Sequence, residues 1–478
     1  HHRRIFSFGG AGDEWNGKTY TEVTSPKSIE STNSTTPADT AGIVAQFRPV
    51  RKECFDGDGA DMLHWAYHDT SKGASSMNEH ILRLARENAP CFIYSRDVLA
   101  RQAGLLRDTF PGFDFLFSVK ANPFPPVMRA LAALGIGADA ASVREVLLAE
   151  ECGMSAADIY FSAAGKSDSA LREAWDHGHL IADSIGEAVR IGRIAAEKGE
   201  ARPIGVRIDP CFNMDGGPGT SGKFGICEED LPQLRTALEG LPVTVCGIHV
   251  HLRSQNLDAA VLTRYYENCF ALALRVQEVL GCTVEYINFG GGVGIAYNEA
   301  SQQPLDYAAL RQCAQRIAEE NRRTLGARLL IESGRFLTCQ AGTYFMPVVD
   351  KKTSRGVTYV IVENCLNGFQ KPAIAAMLRR AVGPDAVIAP QEPLFTREDA
   401  CTVTSLGDPT RTETVHLVGN LCCALDVLQE GFTGPALEIG DLVAVSNAGA
   451  YACTLSVQRF SSHRPPAELL VDGDGNVL

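Results

Sequence analysis

The segment Phe115-Leu116-Phe117-Ser118-Val119-Lys120-Ala121-Asn122 places a lysine at the end of a short apolar run. The run is rich in aromatic residues and stops at Asn122 and Pro123, which is typical of a buried β-strand that ends in a turn. Lysine is rarely buried without a partner, and burial lowers the pKa of the amine towards the range where it is a nucleophile. A surface lysine at a strand end is the alternative, and more distant stretches decide between the two.

The same pattern of short apolar runs repeats along the chain. Amphipathic stretches such as Pro126 to Leu134 and Ser184 to Lys198 lie between most of the runs. Eight strands with helices between them favour a closed (β/α)8 TIM barrel over an open parallel sheet, and we predict this α/β fold for residues 91–338. The predicted strand ends are Val119, Ala140, Ser162, Ala182, Asp209, His251, Phe289 and Glu332.

The pattern changes after Arg335. Strands are predicted at 344–349, 357–362, 415–418 and 441–445 with little helix between them, which indicates a C-terminal all-β domain over residues 339–478. Residues 1–45 are polar and predicted to be disordered. Residues 46–90 form an N-terminal segment that could add strands to the β domain.

Composition excludes several classes of function. The 478 residues carry 44 Lys and Arg against 57 Asp and Glu, a net charge of −13, and no basic block stands out, so we expect no nucleic-acid partner. No apolar run reaches the length of a membrane span. The 15 cysteines include no Cys-x-x-Cys pair, which argues against a disulfide framework or a thiolate zinc site and favours a cytoplasmic location.

Several of the predicted strand ends carry polar residues, and in a barrel such ends converge on one mouth. A run of glycines can bring backbone N–H groups close to an anion, with a following helix terminus adding its positive end, although a structural turn is the commoner role. His249 and His251 share a strand face, but of the further metal ligands only Glu332 is well placed, so we predict no metal site. The residues at or after the predicted barrel strand ends are Lys120; His249 and His251, followed by Arg253 and Ser254; Gly290, Gly291 and Gly292; and Glu332 with Gly334 and Arg335. Tyr451, in the β domain, is a further candidate.

Glu332 and Arg335 could form an ion pair at the barrel rim. In a functional interpretation, the carboxylate keeps a ring nitrogen protonated and the arginine neutralises a phosphate. A nucleophilic lysine, a glycine cradle, a histidine flat against a ring and this carboxylate together describe a site for pyridoxal 5'-phosphate.

These motifs resemble those of the fold type III pyridoxal-phosphate decarboxylases, which include the ornithine, diaminopimelate and arginine decarboxylases. The resemblance runs from about Cys91 to the end of the chain and rests on seven stretches in the family's order. They are Val119-Lys120-Ala121-Asn122, Ala138-Asp139-Ala140-Ala141-Ser142, Gly247-Ile248-His249-Val250-His251, Asn288-Phe289-Gly290-Gly291-Gly292, Glu332-Ser333-Gly334-Arg335, Gly419-Asn420-Leu421-Cys422 and Ala448-Gly449-Ala450-Tyr451.

The resemblance implies an alanine-racemase-like barrel with a β domain, and a homodimer with shared active sites. It further implies that Lys120 binds the cofactor covalently, that His251 stacks on the cofactor ring and that Glu332 keeps the ring protonated. Cys422, whose alternative role is that of a small buried apolar residue, would protonate the product in the partner's site. The implied cofactor contacts are Lys120, His251, Ser254, Gly290, Gly291, Gly292, Glu332, Gly334, Arg335 and Tyr451.

Two departures from the family concern the substrate. Cys423 stands where family members carry an acidic residue that faces the substrate tail, and Arg253 replaces a glycine. Asp426 could partly compensate for the missing acid, and Arg253 shares a face with His251 if the strand continues. We therefore expect an amino acid with a neutral or acidic tail, free or tethered to a carrier, used in amino-acid, polyamine or specialised metabolism.

Other functions remain open. A diaminopimelate, ornithine or lysine decarboxylase proper is one. A racemase would use the same cofactor, but that reaction favours arginine at the ring nitrogen, where this chain has Glu332. A catalytically inactive regulatory homologue would usually have lost Lys120 or Cys422, and both are present.

Overall fold

The first elements of the chain precede the barrel. The structure is a computed structural model that describes residues 67–68, 76–77, 79–383 and 386–478, so the predictions for residues 1–45 and for most of 46–78 lie outside it. The elements are the antiparallel pair β1 (Tyr67–His68) and β2 (Ser76–Met77), helix α1 (Glu79–Asn88), strand β3 (Cys91–Ser95) and helix α2 (Arg96–Thr109).

Eight parallel strands close into a barrel and confirm the predicted fold class. Neighbours pair in the order β10, β11, β12, β4, β5, β6, β7, β8, and β8 pairs with β10 to close the ring, while β9 extends one edge. Each predicted strand end lies within two residues of the observed one. The strands are β4 (Asp114–Ser118), β5 (Gly137–Ala140), β6 (Ile159–Phe161), β7 (His179–Ala182), β8 (Arg202–Asp209), β9 (Ile226–Cys227), β10 (Val243–His249), β11 (Tyr286–Asn288) and β12 (Arg328–Ser333).

The helices between these strands begin and end at residues that favour helix termini. The side chains of Ser142, Ser167, Ser184, Asp258 and Asp306 each accept a hydrogen bond from an N–H group in the first turn. Gly199 and Gly281 end two of the helices in the left-handed conformation. The helices are α3 (Pro125–Ala133), α4 (Val143–Glu151), α5 (Asp168–Glu173), α6 (Ile185–Lys198), α7 (Leu231–Leu238), α8 (Ala259–Leu280) and α9 (Tyr307–Arg323).

One aromatic side chain fills the floor of the barrel. A methyl group on Gly247 would lie 2.2 Å from Tyr286 Cζ, and one on Gly205 would lie 2.1 Å from its hydroxyl oxygen, so both glycines make room for this ring. Because side chains alternate along a strand, residues two positions further along face the same interior one layer higher. The floor cluster is Leu116, Tyr160, Ile181, Cys246, Tyr286 and Leu330.

The second domain is a mixed β-sheet to which both ends of the chain contribute. β3 pairs antiparallel with β13 and parallel with β19, so this strand, although within the segment predicted as barrel, belongs to the β-sheet. The barrel therefore begins after residue 95. The elements of the C-terminal part are α10 (Arg335–Thr338), β13 (Gly342–Ser354), β14 (Val357–Val362), α11 (Gln370–Val382), β15 (Val403–Leu406), β16 (Asp408–Gly419), β17 (Val427–Ala436), β18 (Leu442–Val445) and β19 (Ala467–Val471).

Candidate active site

The layer directly above the barrel floor is polar. His249 and Asn288 end β10 and β11 and are register partners, and Glu332 is the second-last residue of β12. Each lies two residues after a position that lines the floor. All three side chains are buried. Strand register alone therefore brings an imidazole, an amide and a carboxylate together at the C-terminal end of the barrel.

The Glu332 carboxylate is held by two groups on the same oxygen. Asn288 Nδ2 donates to Oε1 at 2.8 Å, and His249 Nε2 lies 3.1 Å from that oxygen. Oε2 lies 4.0 Å from His251 Nδ1 and accepts no hydrogen bond from the described residues. Burial by itself would raise the pKa of Glu332, but His249, His251 and Lys120 outweigh burial and hold the pKa well below its usual value. The carboxylate is ionised, and Oε2 is the oxygen available to a bound group.

The ring of His251 is oriented by the glycine loop. Gly291 N–H donates to His251 Nδ1 at 2.9 Å, so Nδ1 is an acceptor and the proton of the neutral ring lies on Nε2. Burial lowers the pKa of His251 to about 4; Glu332 opposes this shift, and the positive charges of Lys120 and Arg207 add to it. His251 is neutral at pH 7, as a ring that packs against another aromatic ring requires.

Lys120 lies on the single turn Val119–Ala121 that follows β4. Its Nζ is 3.0 Å from Asp139 Oδ2 on β5, and 47% of its side chain is exposed. Burial by itself lowers the pKa of Lys120, but the charge of Asp139, with those of Tyr451 and Glu332, raises it above the usual value. The sequence-based expectation of a lowered pKa is wrong, because a carboxylate on the neighbouring strand pairs with the amine.

The β domain fixes the turn that carries Lys120. Asn122 Nδ2 donates to the Gly449 carbonyl at 3.0 Å, and Tyr451 N–H donates to the Ala121 carbonyl at 2.8 Å. The Tyr451 hydroxyl also lies next to Gly334, where a methyl group would be 3.1 Å from it. The motif around Tyr451 is therefore part of the same site as the lysine turn.

The glycine loop leaves no space for side chains. A methyl group on Gly290 would lie 2.3 Å from the Val250 carbonyl oxygen, and Gly290 and Gly292 have φ values of +65° and +142°. Gly290 N–H donates to Asn288 Oδ1 and Gly291 N–H to His251, whereas Gly292 N–H donates to no group within the described residues. Gly292 is therefore the glycine whose N–H is available to an anion.

No helix follows the glycine loop directly. The chain continues as loop until α9 begins at Tyr307, so the expected contribution from a helix terminus is wrong. An anion at this loop would be bound by backbone N–H groups without the positive end of a helix.

Arg335 already has a carboxylate partner. Its Nη2 lies 2.5 Å from Glu392 Oε2, and its Nη1 donates to the Tyr297 hydroxyl at 2.5 Å. Tyr297 in turn donates to Glu392 Oε1 at 3.0 Å. The guanidinium predicted to neutralise a phosphate thus forms a buried ion pair with a residue from the β domain.

A second cation lies beside this ion pair. Lys371, on α11, is buried; its Nζ donates to the Ala450 carbonyl at 3.2 Å, and no carboxylate within the described residues lies within 4.0 Å of it. The Tyr451 ring is 5.4 Å from Lys371 Nζ and 5.0 Å from the Arg335 guanidinium. Burial, with the charge of Arg335, lowers the pKa of Lys371 to about 8. We call Arg335, Lys371, Glu392, Tyr297 and Tyr451 the cation cluster.

Arg253 and Ser254 lie outside the polar layer, on the loop after β10, where the Arg253 carbonyl oxygen would be 3.6 Å from a methyl group on Gly292. β10 ends at His249, and Gln255 has a φ of +59°, so the extended conformation needed to align Arg253 with His251 does not continue. Both residues are exposed, and Arg253 forms a bidentate ion pair with Asp215 at 2.8 and 3.0 Å. No described contact joins Arg253 or Ser254 to the polar layer.

The cysteine loop also lies apart within one chain. Cys422 is exposed, with its Sγ 3.6 Å from the Ser461 hydroxyl, and Cys423 is half-buried. Asp426 is buried and accepts hydrogen bonds from the N–H groups of Leu366 at 2.7 Å and of Leu421 at 2.9 Å. Asp426 therefore stabilises the loop, and its carboxylate is not free to compensate for Cys423.

Sequence reasoning missed five residues of the site, one of which is Tyr297 of the cation cluster. Asp139 had a detectable signal, because it is a carboxylate within an otherwise apolar strand. Asn288 was quoted only as part of a motif. Lys371 and Glu392 gave no signal, because a lysine in an amphipathic helix and a glutamate in a loop are ordinary surface residues. Among the described residues, no group of His, Cys, Asp or Glu is arranged to bind a metal ion.

Comparison with known proteins agrees with this geometry. A profile of the family described as "Pyridoxal-dependent decarboxylase, pyridoxal binding domain" matches residues 96–339, about half of the chain. The L-glutamyl-[BtrI acyl-carrier protein] decarboxylase of Niallia circulans is 31% identical over 398 residues, which are 80% of this chain and 89% of that protein. The chain belongs to the pyridoxal-dependent decarboxylases. The diaminopimelate decarboxylase of Zymomonas mobilis is 26% identical over 82% of this chain and 90% of its own length.

Solved structures agree on the fold of this decarboxylase. The diaminopimelate decarboxylase of M. jannaschii, in complex with L-lysine, superposes with a TM-score of 0.68 over 82% of this chain and 89% of its own, at 23% identity. The family assignment, the decarboxylase reaction on an amino acid and the cofactor pyridoxal 5'-phosphate are confirmed. No helix of the described residues is long and apolar enough to cross a membrane.

The residues present fit the cofactor. A primary amine, an ionised carboxylate with one oxygen available, a neutral imidazole and a glycine loop with an available N–H group surround one region at the barrel mouth. The hydrogen bond from Gly291 N–H to His251 Nδ1 fixes the orientation of the imidazole ring relative to the glycine loop. This donor set matches the aldehyde, the pyridine nitrogen, the ring face and the phosphate of the cofactor.

Proposed function

We propose that this decarboxylase removes the α-carboxyl group of an amino acid whose side chain ends in a carboxylate or in an acyl group derived from one. The side chain does not end in an ammonium group. The substrate is either the free amino acid or its ester with a carrier thiol. The observation that carries the proposal is the charge of the cation cluster, where Arg335 and Lys371 are opposed only by Glu392 within the described residues.

The cation cluster disfavours an ammonium tail. A buried excess of one positive charge repels a second cation strongly, because few water molecules screen it. It attracts a carboxylate or the oxygen of an acyl group, and Lys371 has two N–H bonds left to donate after the Ala450 carbonyl is satisfied. Since Tyr451, a member of the cluster, is hydrogen-bonded through its N–H to Ala121 of the lysine turn, an anion at the cluster is near the reacting group.

The cysteine loop supports the same substrate class. A neutral thiol at Cys423 cannot pair with a distal ammonium, and Asp426 is occupied by two backbone N–H groups. The relative from Niallia circulans is named for a glutamyl group on an acyl-carrier protein. That name describes a substrate with an α-amino acid at one end and an acyl group at the other, which has the charge pattern inferred from the cluster.

The chain's own residues have distinct roles in this proposal. When bound, the cofactor accepts the electrons released as carbon dioxide leaves. Lys120 binds the cofactor covalently and yields to the substrate amine. Glu332 Oε2 keeps the proton on the ring nitrogen, neutral His251 packs on the ring face, and the N–H group of Gly292 binds the phosphate. Asp139 keeps the Lys120 amine in place when it is not bonded to the cofactor.

The active form in this proposal is a homodimer. Cys422 is exposed, with its Sγ 3.6 Å from the Ser461 hydroxyl. Three exposed apolar residues lie near Cys422 or Ser461 in the sequence, namely Leu425, Val457 and Phe460. Covering these residues with a second copy would bury them and place a thiol in the other chain's site. That thiol would deliver a proton to the α-carbon after carboxylate loss.

Carbon dioxide release by the purified enzyme tests the substrate. Glutamate, a glutamyl thioester of a carrier protein, citrulline, diaminopimelate, ornithine and lysine are compared at equal concentration. We expect turnover of glutamate or of the thioester and little turnover of ornithine and lysine. Faster turnover of ornithine or lysine would refute the proposal, and chiral analysis of recovered substrate identifies any racemase activity.

A further inference from the structure

His249 is a buried histidine whose ring nitrogens have almost no partners. It is 1% exposed, its Nε2 forms an ion-pair contact with Glu332 Oε1 at 3.1 Å, and neither ring nitrogen forms a hydrogen bond of good geometry within the described residues. A buried polar group without a partner is unfavourable, because it has given up its hydrogen bonds to water. The contact with Glu332 is therefore what makes an imidazole tolerable at this position.

Two other roles for His249 do not fit. A metal ligand needs further ligands, and no group of three suitable side chains exists among the described residues. A purely space-filling ring would be replaced at no loss by an apolar side chain, yet here an apolar residue would remove one of two groups that contact Oε1. The contact is with one oxygen only, because Nε2 lies 3.1 Å from Oε1 while Oε2 accepts no hydrogen bond from the described residues.

We propose that His249, together with Asn288, is a positioning residue for Glu332. The two side chains engage Oε1 and so present Oε2 to the ring nitrogen of the cofactor. They also favour the ionised carboxylate, so that the shared proton stays on the ring nitrogen. This inference rests on the proposed role of Glu332, and the experiment below separates the two.

Other charged and titratable groups also act on Glu332, and any pH dependence reports their sum. Lys120 and His251 face it from the turn after β4 and from the loop after β10, and Arg207 on β8 acts through His251. Tyr265 on α8 also interacts with the charge of Glu332, and its single O–H is shared between the carbonyl oxygens of Val250 and Phe289, which lie 2.9 and 2.8 Å from the hydroxyl oxygen. Substitutions must leave these groups in place, so His249 itself is the residue to change.

The variants are chosen to separate positioning from packing. His249→Leu keeps the volume and removes the contact, while His249→Gln keeps an N–H donor that can reach Oε1. The control is His179→Leu, since His179 is also a barrel-strand histidine, at the start of β7, stacked on Tyr160 at 4.5 Å with no contact to Glu332. Each variant is made in the full-length holoenzyme and again with Glu332→Gln.

Three measurements are made on each variant. They are the kcat and KM for decarboxylation, the visible absorbance of the bound cofactor as a function of pH, and the imidazole 15N spectrum of the cofactor-free protein. His249→Leu should lower kcat about 10- to 100-fold, with KM changed less than about 3-fold. In the absorbance titration, the midpoint of the transition at low pH (the acidic limb) should rise by about one pH unit. His249→Gln should recover most of kcat, and Glu332→Gln should move the 15N resonance of His249.

The double variants decide the interpretation. If His249 acts through Glu332, His249→Leu has little further effect on kcat or on the titration once Glu332→Gln is present, whereas His179→Leu has the same small effect in both backgrounds. Equal effects of His249→Leu with and without Glu332→Gln, or an unshifted acidic limb, would overturn the inference. A Glu332→Gln variant with normal kcat and titration would instead refute the proposed role of Glu332.

Discussion

The polar layer and the cation cluster lie in the same barrel mouth but differ in charge balance. In the polar layer, Asn288 and His249 both contact the one carboxylate, Glu332, and no other acid in the described part of the chain shares these contacts. In the cation cluster, Glu392 opposes two cations, and the described partners of Lys371 are a backbone carbonyl and the Tyr451 ring. The balanced region suits a fixed task in the reaction. In our proposal the unbalanced region is completed by the ligand and selects the substrate.

Replacement of Lys120 should have the largest effect. Lys120→Ala removes the amine that binds the cofactor, so activity should fall by about four orders of magnitude and the visible absorbance of the bound cofactor should be lost. Absorbance spectra and carbon dioxide release measure both effects. The control Lys223→Ala changes an exposed lysine and should leave both unchanged. Retention of substantial activity by Lys120→Ala would contradict the assignment of the whole site.

Replacement of Glu332 should act on the reaction rather than on substrate binding. Glu332→Gln keeps the shape but cannot hold the ring nitrogen protonated, so kcat should fall about 100-fold or more, with a smaller change in KM. Steady-state kinetics separate the two constants. The matched control is Glu320→Gln on the exposed side of α9. A change confined to KM would show that Glu332 acts in substrate binding, and would contradict the proposed difference in role between the polar layer and the cation cluster.

Replacement of Lys371 should have the opposite signature. Lys371→Met should raise KM for the acidic or acyl substrate about 10-fold, because about 1.4 kcal/mol of attraction is lost, and should leave kcat within about 3-fold. Lys371→Arg retains the charge and serves as the control. An effect on kcat alone would remove Lys371 from substrate selection.

The pH dependence of KM is a second test of whether Lys371 binds the substrate. Because the pKa of Lys371 is lowered to about 8, its ammonium is lost as pH rises through 8, well before that of an ordinary lysine. KM should therefore rise severalfold between pH 7 and pH 9 in the native enzyme and should stay nearly constant in Lys371→Arg. The KM profiles of the two enzymes, measured in the same buffers, provide the comparison. Parallel profiles would show that another group titrates.

The smallest effect is expected outside both regions. Arg253→Ala breaks an exposed ion pair with Asp215, and such pairs contribute little to stability because solvent screens them. Denaturant unfolding should therefore show little or no loss of stability, and KM should change less than about 2-fold. A large rise in KM would show that Arg253 contributes to substrate binding after all.

The barrel could be predicted from the sequence because its signals are local. Short apolar runs end in turns, and Ser142 and Ser184 begin the helices that follow, so each strand end was located within two residues. The polar layer follows from the same periodicity once the strands are placed. The prediction for Arg253 depended on a strand that stays extended through that residue, but β10 ends at His249.

The cation cluster could not be predicted because no local pattern joins its members. Arg335 follows a barrel strand, Lys371 begins a helix of the β domain and Glu392 lies in a loop, and only the packing of the β domain on the barrel mouth unites them. The predicted start of the barrel at residue 91 is also displaced, because the domain to which the first strand belongs depends on pairing between distant strands. β3 is read locally as a strand, but its sheet is determined by β13 and β19.

The anchoring of the lysine turn has a consequence for protein synthesis. Asn122 is hydrogen-bonded to the carbonyl of Gly449, which the ribosome adds 327 residues later. The nascent chain therefore exposes its reactive lysine long before the segment that secures the turn exists. A completed pocket, and with it stable binding of the cofactor, therefore requires that synthesis has passed Gly449.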